Sequence, residues 1–117
     1  MSTTTSMAWL EIAHGGGRWT TREVAEKLPR EPSKTVENVV FRMGERGFLK
    51  LYEKDDFNNR IRFGVTADCY VPRGIANWEV VEAMGMQLRP GVEEEMVARG
   101  VTVGEVMRSM GVMRKAA

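Results

Sequence analysis

Histidine and cysteine, which often act as catalytic bases, nucleophiles or zinc ligands, each occur only once in this chain. Its 117 residues include one histidine, His14, and one cysteine, Cys69. A zinc site needs about four ligands at defined spacing, and these two residues have no such spacing. A lone cysteine also has no internal disulfide partner. We therefore expect Cys69 to be a small buried apolar residue, His14 to lie at a helix end, and the protein to have no catalytic activity, metal or cofactor.

Two runs of identical residues look like functional motifs but have simpler explanations. The run Gly15-Gly16-Gly17 is not preceded by a strand or followed by the lysine and threonine of a phosphate-binding loop. It is typical of a helix stop. The run Glu93-Glu94-Glu95 favours the first turn of a helix, where carboxylates interact well with the helix dipole.

The overall charge of the chain does not by itself indicate a partner. Lysine and arginine number 17 and aspartate and glutamate 16, for a formal net charge of +1. Strong nucleic-acid binders usually carry a clear basic excess, because phosphate contacts dominate their affinity. No apolar stretch is long enough to span a bilayer, and the polar start does not resemble a secretory signal. We expect a cytoplasmic protein whose residues 1–5 form a disordered tail.

Apolar spacing and capping residues predict two helices before residue 30. The first runs from Met7 to Ala13 and is stopped by the glycine run. A short strand at residues 18–19 follows. The second helix begins at a capping box of Thr20 and Glu23, in which each side chain bonds the backbone N–H of the other residue. Pro29 ends this helix.

A third helix and a β-hairpin complete the first half of the chain. Ser33 is expected to cap the helix and Gly47 to end it. Its apolar face follows the helical period and consists of Val36, Val39, Val40 and Met43. Residues 49–52 and 60–65 then alternate as strands do, with turn-forming residues at 54–59. The second strand is expected to bury Ile61 and Phe63 and to expose Arg60 and Arg62.

The last third of the chain predicts short helices. A brief strand is expected at residues 69–71, and Asn77 is expected to cap a fourth helix. A fifth helix is predicted over Val92–Arg99. A second capping box, Thr102 with Glu105, begins a final apolar stripe.

Methionine is unusually frequent in this last third. Six of the nine methionines lie there: Met84, Met86, Met96, Met107, Met110 and Met113. Methionine fills irregular gaps in a core, and it also suits adaptable interfaces. Because short helices need a surface against which to bury their apolar stripe, we favour a dimer interface, with core filling as the alternative.

The order helix, short strand, helix, helix, hairpin resembles the winged helix-turn-helix superfamily. The resemblance covers about residues 7–66 and depends on three segments, RWTTREVAEKL, SKTVENVVFRMGERGFLKLYE and RIRFGVT. It implies an α+β fold, with a winged helix-turn-helix domain over residues 6–75 and a C-terminal helical extension over residues 76–117.

The same resemblance implies binding of double-stranded DNA, as in a transcriptional regulator. The third helix of such proteins enters the major groove, and the hairpin touches the backbone or the minor groove. The residues assigned to DNA in this way are Lys34, Thr35, Asn38, Arg42, Arg46, Asn58, Arg60 and Arg62. Asn38 would pair with adenine and Arg42 with guanine, while Lys34 and Thr35 would hold phosphate at the helix start. Many such modules act as dimers, because two half-sites multiply affinity.

Acidic residues on the same surface keep a second hypothesis open. Glu37 and Glu45 lie among the assigned residues of the third helix, and Asp55 and Asp56 lie at the tip of the hairpin. All four would repel phosphate, although a glutamate can also accept a hydrogen bond from cytosine. The alternative is a winged-helix scaffold for protein interactions in a larger assembly, without direct DNA binding. The DNA hypothesis requires the basic residues Lys34, Arg42, Arg60 and Arg62 to share one face.

Overall fold

The structure, a computed structural model, describes residues 3–52, 60–87 and 101–114. This part of the chain is α+β, with five helices and two small antiparallel sheets. The helices are α1 (Thr3–Gly15), α2 (Thr21–Lys27), α3 (Ser33–Glu45), α4 (Asn77–Ala83) and α5 (Val103–Met110). The strands are β1 (Lys50–Tyr52), β2 (Arg62–Gly64), β3 (Met86–Gln87) and β4 (Met113–Arg114). This order is compatible with a winged-helix-like layout.

One apolar core joins the first three helices to the last two. Trp9 of α1 is fully buried, and its indole Nε1 donates a hydrogen bond to the carbonyl oxygen of Phe48 at 2.9 Å. Val40 of α3, Val80 of α4 and Val106 of α5 belong to the same buried cluster. The helices that the sequence predicts as a C-terminal extension therefore share the core of the N-terminal part.

The hairpin is attached to the rest of the fold through Phe63. β1 and β2 pair antiparallel, with Leu51 opposite Phe63. On the other side of β2, the backbone of Trp19 exchanges two hydrogen bonds with that of Phe63, each 2.7 Å between nitrogen and oxygen. The short strand predicted at residues 18–19 is confirmed, and Phe63 lies at the middle of three paired chain segments.

The capping box at the start of α2 is confirmed, but the predicted cap of α3 is wrong. Thr20 Oγ1 accepts from the backbone N–H of Glu23 at 3.2 Å, and the backbone N–H of Thr20 donates to Glu23 Oε1 at 2.9 Å. Ser33 is the first residue of α3, and the capping position is occupied by Pro32 with φ −59° and ψ 127°. Proline is pre-organised for a helix start by its fixed φ, and no side chain caps α3.

The first helix is longer than its apolar pattern indicates. Residues 3–5, predicted to belong to a disordered tail, form the first turn of α1. The hydroxyl of Thr4 donates to Glu31 Oε2 at 3.2 Å, which ties this turn to the connector between α2 and α3. This contact spans 27 positions, so local spacing does not indicate it.

The C-terminal elements close on the chain that follows the hairpin. The backbone of residues 69–71 bonds that of residues 101–103, and Tyr70 bridges Thr102. The brief strand predicted at residues 69–71 is thus confirmed. Of the capping box predicted for α5, the bond from the N–H of Glu105 to the Thr102 hydroxyl oxygen is confirmed. Asn77 is not a cap; it is the buried first residue of α4, and its amide donates to Met110 Sδ at 3.4 Å. The helix predicted at 92–99 lies outside the described residues.

The described methionines pack on the core of the chain itself. Met110 is buried, and Met84, Met86 and Met107 are half-buried against the same cluster. α5 buries its apolar stripe in this core and packs against α4, so it does not need a second surface to cover that stripe. These four methionines therefore fill the core, as in the alternative given from the sequence. Met96 and the side chain of Met113 lie outside the described part.

Candidate nucleic-acid interface

The side of α3 that faces solvent carries most of the residues assigned to DNA by the sequence. Val36, Val40 and Met43 are buried on the opposite side. The exposed residues from Lys34 to Arg46, called here the α3 outer face, are Lys34, Thr35, Asn38, Phe41, Arg42, Glu45 and Arg46. Because an α-helix turns once in 3.6 residues, the spacing of four between Lys34, Asn38 and Arg42 places them in one row. All five α3 residues assigned from the sequence are exposed.

Phe41 is a residue of this face that the sequence analysis did not select. Its side chain is 45 % exposed. Its ring meets that of Phe63 edge to face, with centroids 6.3 Å apart and planes at 69°. The helical pattern contains the signal, since Phe41 does not belong to the apolar face from Val36 to Met43 and follows Asn38 by one turn.

Gly44 allows the hairpin to lie directly against α3. A Cβ atom at this position would be 2.5 Å from Cε1 of Phe63, closer than packed carbon atoms approach each other. The absence of a side chain at Gly44 therefore lets the fully buried ring of Phe63 contact both the helix and Phe41. The position of the hairpin relative to the α3 outer face depends on this packing.

Of the two glutamates of α3, only one belongs to its outer face. Glu37 Oε1 accepts a hydrogen bond from the hydroxyl of Thr21 at 3.1 Å, and the residue is half-buried on the side of α2. Glu45 is exposed. The α3 outer face therefore carries three cations, from Lys34, Arg42 and Arg46, against one carboxylate. The local excess is positive although the whole chain is nearly neutral.

The prediction that Arg62 is exposed is wrong. It is half-buried; its Nη1 lies 2.9 Å from Glu23 Oε1 and also donates to the carbonyl oxygen of Arg18 at 3.3 Å. Because Trp19 pairs with β2, the first turn of α2 comes beside Arg62 and supplies the carboxylate. Strand alternation alone does not show this neighbour, which is 39 positions away.

Glu23 links the helix cap to the hairpin. The backbone N–H of Thr20 lowers the pKa of the Glu23 carboxyl below its ordinary value of 4.5, partial burial opposes this shift, and the Thr20 side chain and Arg62 lower the pKa further. The carboxylate that neutralises Arg62 is therefore ionised at neutral pH. The hydrogen bonds from Thr20 lower the pKa of Glu23 more than the ion pair with Arg62 does.

Arg60 lies beside α2. It is exposed and lines a groove whose other walls come from α2 and the start of α3: Arg22, Ala25, Glu26, Ser33 and Glu37. Glu37 and Arg42 point about 140° apart around α3, since each residue turns the helix by about 100°. Lys34 is only about 60° from Glu37 by the same geometry, so Arg60 lies on the Lys34 side of α3 and away from Arg42. The expectation that Lys34, Arg42, Arg60 and Arg62 share one face is not met, because Arg42 points away from Arg60 and Arg62 is paired with Glu23. Asn58 lies outside the described residues, as do Asp55 and Asp56.

The outer side of the hairpin holds two further cations that the sequence analysis did not select. The guanidinium carbon of Arg18 lies 4.0 Å from the centroid of the Tyr52 ring, and Lys50 Nζ lies 5.7 Å from the same centroid. Such contacts favour a cation over the face of an aromatic ring. They add positive charge to the strand edge next to Arg62.

The single cysteine and the single histidine of the chain occupy the positions expected for them. Cys69 is buried, and its Sγ lies 3.5 Å from Thr66 Oγ1. His14 lies in the last turn of α1. Within residues 3–52, 60–87 and 101–114, no three histidine, cysteine, aspartate or glutamate side chains form a group that could hold a metal ion.

Comparisons with protein families, curated proteins and solved structures find no match to this chain. In the described part of the chain, no helix combines the length and the apolar character needed to cross a membrane.

Replacing Glu23 with glutamine is expected to destabilise the protein at neutral pH by up to about 1 kcal/mol, the usual upper range for an exposed ion pair. Glutamine keeps the capping box and removes the charge. Because the folded-state pKa of Glu23 is lowered, its stabilising effect is present above the unfolded-state pKa near 4.5 and disappears as pH falls through the folded-state pKa. Urea unfolding of the wild-type protein and of Glu23→Gln, at pH 7 and at a series of pH values below 4.5, measures whether the difference between their free energies of unfolding disappears.

The matched control is Glu26→Gln. Glu26 is the other glutamate of α2 that pairs with an arginine, Arg22, at 3.8 Å, and both side chains are about two-thirds exposed. We expect no measurable change in the free energy of unfolding from this substitution. Equal effects of the two substitutions at all pH values would contradict the role given to Glu23.

Proposed function

We propose that this protein binds double-stranded DNA through the α3 outer face, as a winged helix-turn-helix transcriptional regulator. The proposal gives up the single face of Lys34, Arg42, Arg60 and Arg62 that the sequence-based hypothesis required, because Arg60 lies beside α2 and Arg62 is paired with Glu23. The observation that carries the proposal is the row of Lys34, Asn38 and Arg42 along the exposed side of α3, with Arg46 beyond it. Glu37, one of the four acidic residues that favour the alternative hypothesis, is turned towards Thr21.

The dimensions of α3 suit the major groove. Its 13 residues span about 20 Å at 1.5 Å per residue, and the major groove is about 12 Å wide and admits a helix. α3 packs on α2 and α1 through its buried side, so its polar side is the one that can approach a duplex. Lys34 and Thr35 lie in the first turn, where the helix dipole and unpaired N–H groups favour phosphate.

The hairpin has the second role in this proposal. Arg60 lies beside the first turns of α3, where it would neutralise phosphate on one flank of the groove. Arg62 is engaged with Glu23 and Arg18, so its part in the proposal is to fix the hairpin against α2. Phosphate contacts of this kind position a protein on DNA, and base contacts supply the sequence preference.

A salt titration tests the proposal. We expect the full chain to bind a fluorescein-labelled 25-base-pair duplex of random sequence, measured by fluorescence anisotropy. Phosphate contacts from three side chains, Lys34, Arg46 and Arg60, would weaken binding about 40-fold between 50 and 200 mM salt. No binding at 50 mM salt, or an affinity that is independent of salt, would contradict DNA binding.

One observation favours the scaffold hypothesis as a second candidate. Phe41 and Leu51 are 45 % and 48 % exposed. Leu51 lies opposite Phe63, and residues paired across strands share one side of a sheet, so Leu51 and Phe41 flank the buried ring of Phe63. Exposed apolar groups of this kind mark protein contacts in many domains. A protein that ignores duplex DNA at low salt and binds a protein partner through Leu51 would support this candidate.

The remaining sequence-based expectations stay predictions. A dimer through the methionine-rich C-terminal helices, a cytoplasmic location and the lack of catalytic activity are each untested by the geometry. Of the methionines assigned to this dimer, Met84, Met86, Met107 and Met110 pack on the core, and Met96 and the side chain of Met113 lie outside the described residues. Sedimentation velocity of the full chain measures the oligomeric state directly.

A further inference from the structure

Phe41 is an apolar ring set among polar side chains on the α3 outer face. Its position along the helix is three residues after Asn38 and next to Arg42, both exposed. The other large apolar residues of this helix, Val36, Val40 and Met43, are buried. An exposed ring beside the polar row of Lys34, Asn38 and Arg42 is therefore not explained by the packing of the core alone.

The Phe41 ring is held in place. It meets the ring of Phe63 edge to face at 6.3 Å, and Phe63 is fully buried between β1 and Trp19. Gly44, one turn later, leaves the space that brings Phe63 against α3. A side chain already fixed before binding loses little conformational freedom on contact, and this favours a specific contact over a general one.

The surroundings of Phe41 favour a nucleic acid over a protein as its partner. Three cations and one carboxylate share the α3 outer face with it, a balance that complements a polyanion. In the major groove, the 5-methyl group of thymine is the apolar feature that distinguishes one base from the others, and phenylalanine is among the side chains that contact it.

The spacing of Phe41 and Asn38 fits neighbouring base pairs. Three residues advance an α-helix by about 4.5 Å, and successive base pairs are about 3.4 Å apart. A helix that places the Asn38 amide at one base edge therefore places the Phe41 ring near the next.

We propose that Phe41 is a specificity-determining residue that packs against the 5-methyl group of a thymine, next to the base contacted by Asn38. The inference rests on the proposed DNA binding and names the sequence class it selects, a site with thymine at one fixed position. The contact forms no bond and needs no cofactor.

The test uses a duplex selected from a random pool by the full wild-type chain. Each thymine of the selected duplex is then replaced in turn by 2′-deoxyuridine, which removes only the 5-methyl group. We expect one replacement to weaken binding about fourfold, the effect of about 0.8 kcal/mol for one buried methyl-sized group, and the others to have little effect. Phe41→Ala should bind the unmodified duplex more weakly and should no longer distinguish the two duplexes at that position.

Two further variants separate this contact from a loss of structure. Phe41→Leu keeps an apolar group at the site and should retain part of the discrimination. Trp78→Ala removes an exposed aromatic side chain of α4, which is 40 % exposed, and should retain all of it. Circular dichroism and thermal unfolding check that each variant is folded.

The outcomes distinguish this inference from the proposed function. If the selected duplex binds with steep salt dependence but no thymine position responds to deoxyuridine, the role of Phe41 is overturned and DNA binding stands. Unchanged discrimination by Phe41→Ala also overturns it. If no duplex is selected or bound at 50 mM salt, both the inference and the proposed function fail.

Discussion

Phe63→Ala is expected to lower the free energy of unfolding by about 3–5 kcal/mol, the usual effect of removing a fully buried ring. Phe63 is 0 % exposed and lies between Trp19 and Leu51 in the paired strands. Its ring also fills the space over Gly44. Because domains of this size are stable by only about 5–15 kcal/mol, the loss is a large fraction of the total. Denaturant unfolding followed by tryptophan fluorescence measures it.

Phe41→Ala is the matched control for this prediction. The two rings contact each other, so both substitutions remove the same aromatic pair. Phe41 is nearly half exposed, and we expect its loss to change the free energy of unfolding by about 1 kcal/mol or less. Losses of similar size for the two variants would show that the hairpin is not attached to the core through Phe63.

Local signals were sufficient for the elements whose determinants lie within a few residues. The capping box of Thr20 and Glu23 is a contact over three positions, and the sequence shows both partners. The alternation of residues 60–65 and the turn formers before them likewise predict the hairpin. The short strand at residues 18–19 is also predicted from the sequence, but its pairing with Phe63 is not, because that partner lies far along the chain.

Contacts between distant positions account for the errors. Residues 3–5 are helical, and Thr4 bonds Glu31 of a connector far along the chain. α5 buries its stripe against α4 and the common core, which a count of apolar residues in short helices does not reveal. The placement of the methionines follows from this packing.

The candidate site was predictable to the extent that it belongs to one helix. The period of α3 fixes which side is buried, so the exposure of Lys34, Asn38 and Arg42 follows from the sequence. Arg62 was misplaced because its partner, Glu23, comes from another element. Phe41 was overlooked because a large apolar residue is normally assigned to the core, although its position in the helical period excludes it from the buried face.

Arg42→Ala is expected to weaken binding of the selected duplex by about 1–3 kcal/mol, or about five- to 150-fold. Arg42 is exposed in the third turn of α3, in the same row as Asn38, where a guanidinium can donate two hydrogen bonds to the O6 and N7 atoms of guanine. Fluorescence anisotropy at a fixed salt concentration, with the selected duplex and with duplexes changed at single G·C pairs, measures the effect.

The matched control for Arg42 is Arg108→Ala, and the salt dependence identifies the kind of contact. Arg108 is an exposed arginine of α5, which packs against α4, and its loss removes the same net charge from the chain. We expect no more than about a twofold change for it, since a distant exposed charge is largely screened at physiological salt.

If Arg42 contacts guanine, its variant loses the preference at one G·C pair and the salt slope is nearly unchanged. If it contacts phosphate, the slope falls by about one and every sequence is weakened alike. Equal losses for Arg42→Ala and Arg108→Ala would mean that overall charge, and not the α3 outer face, attracts the duplex.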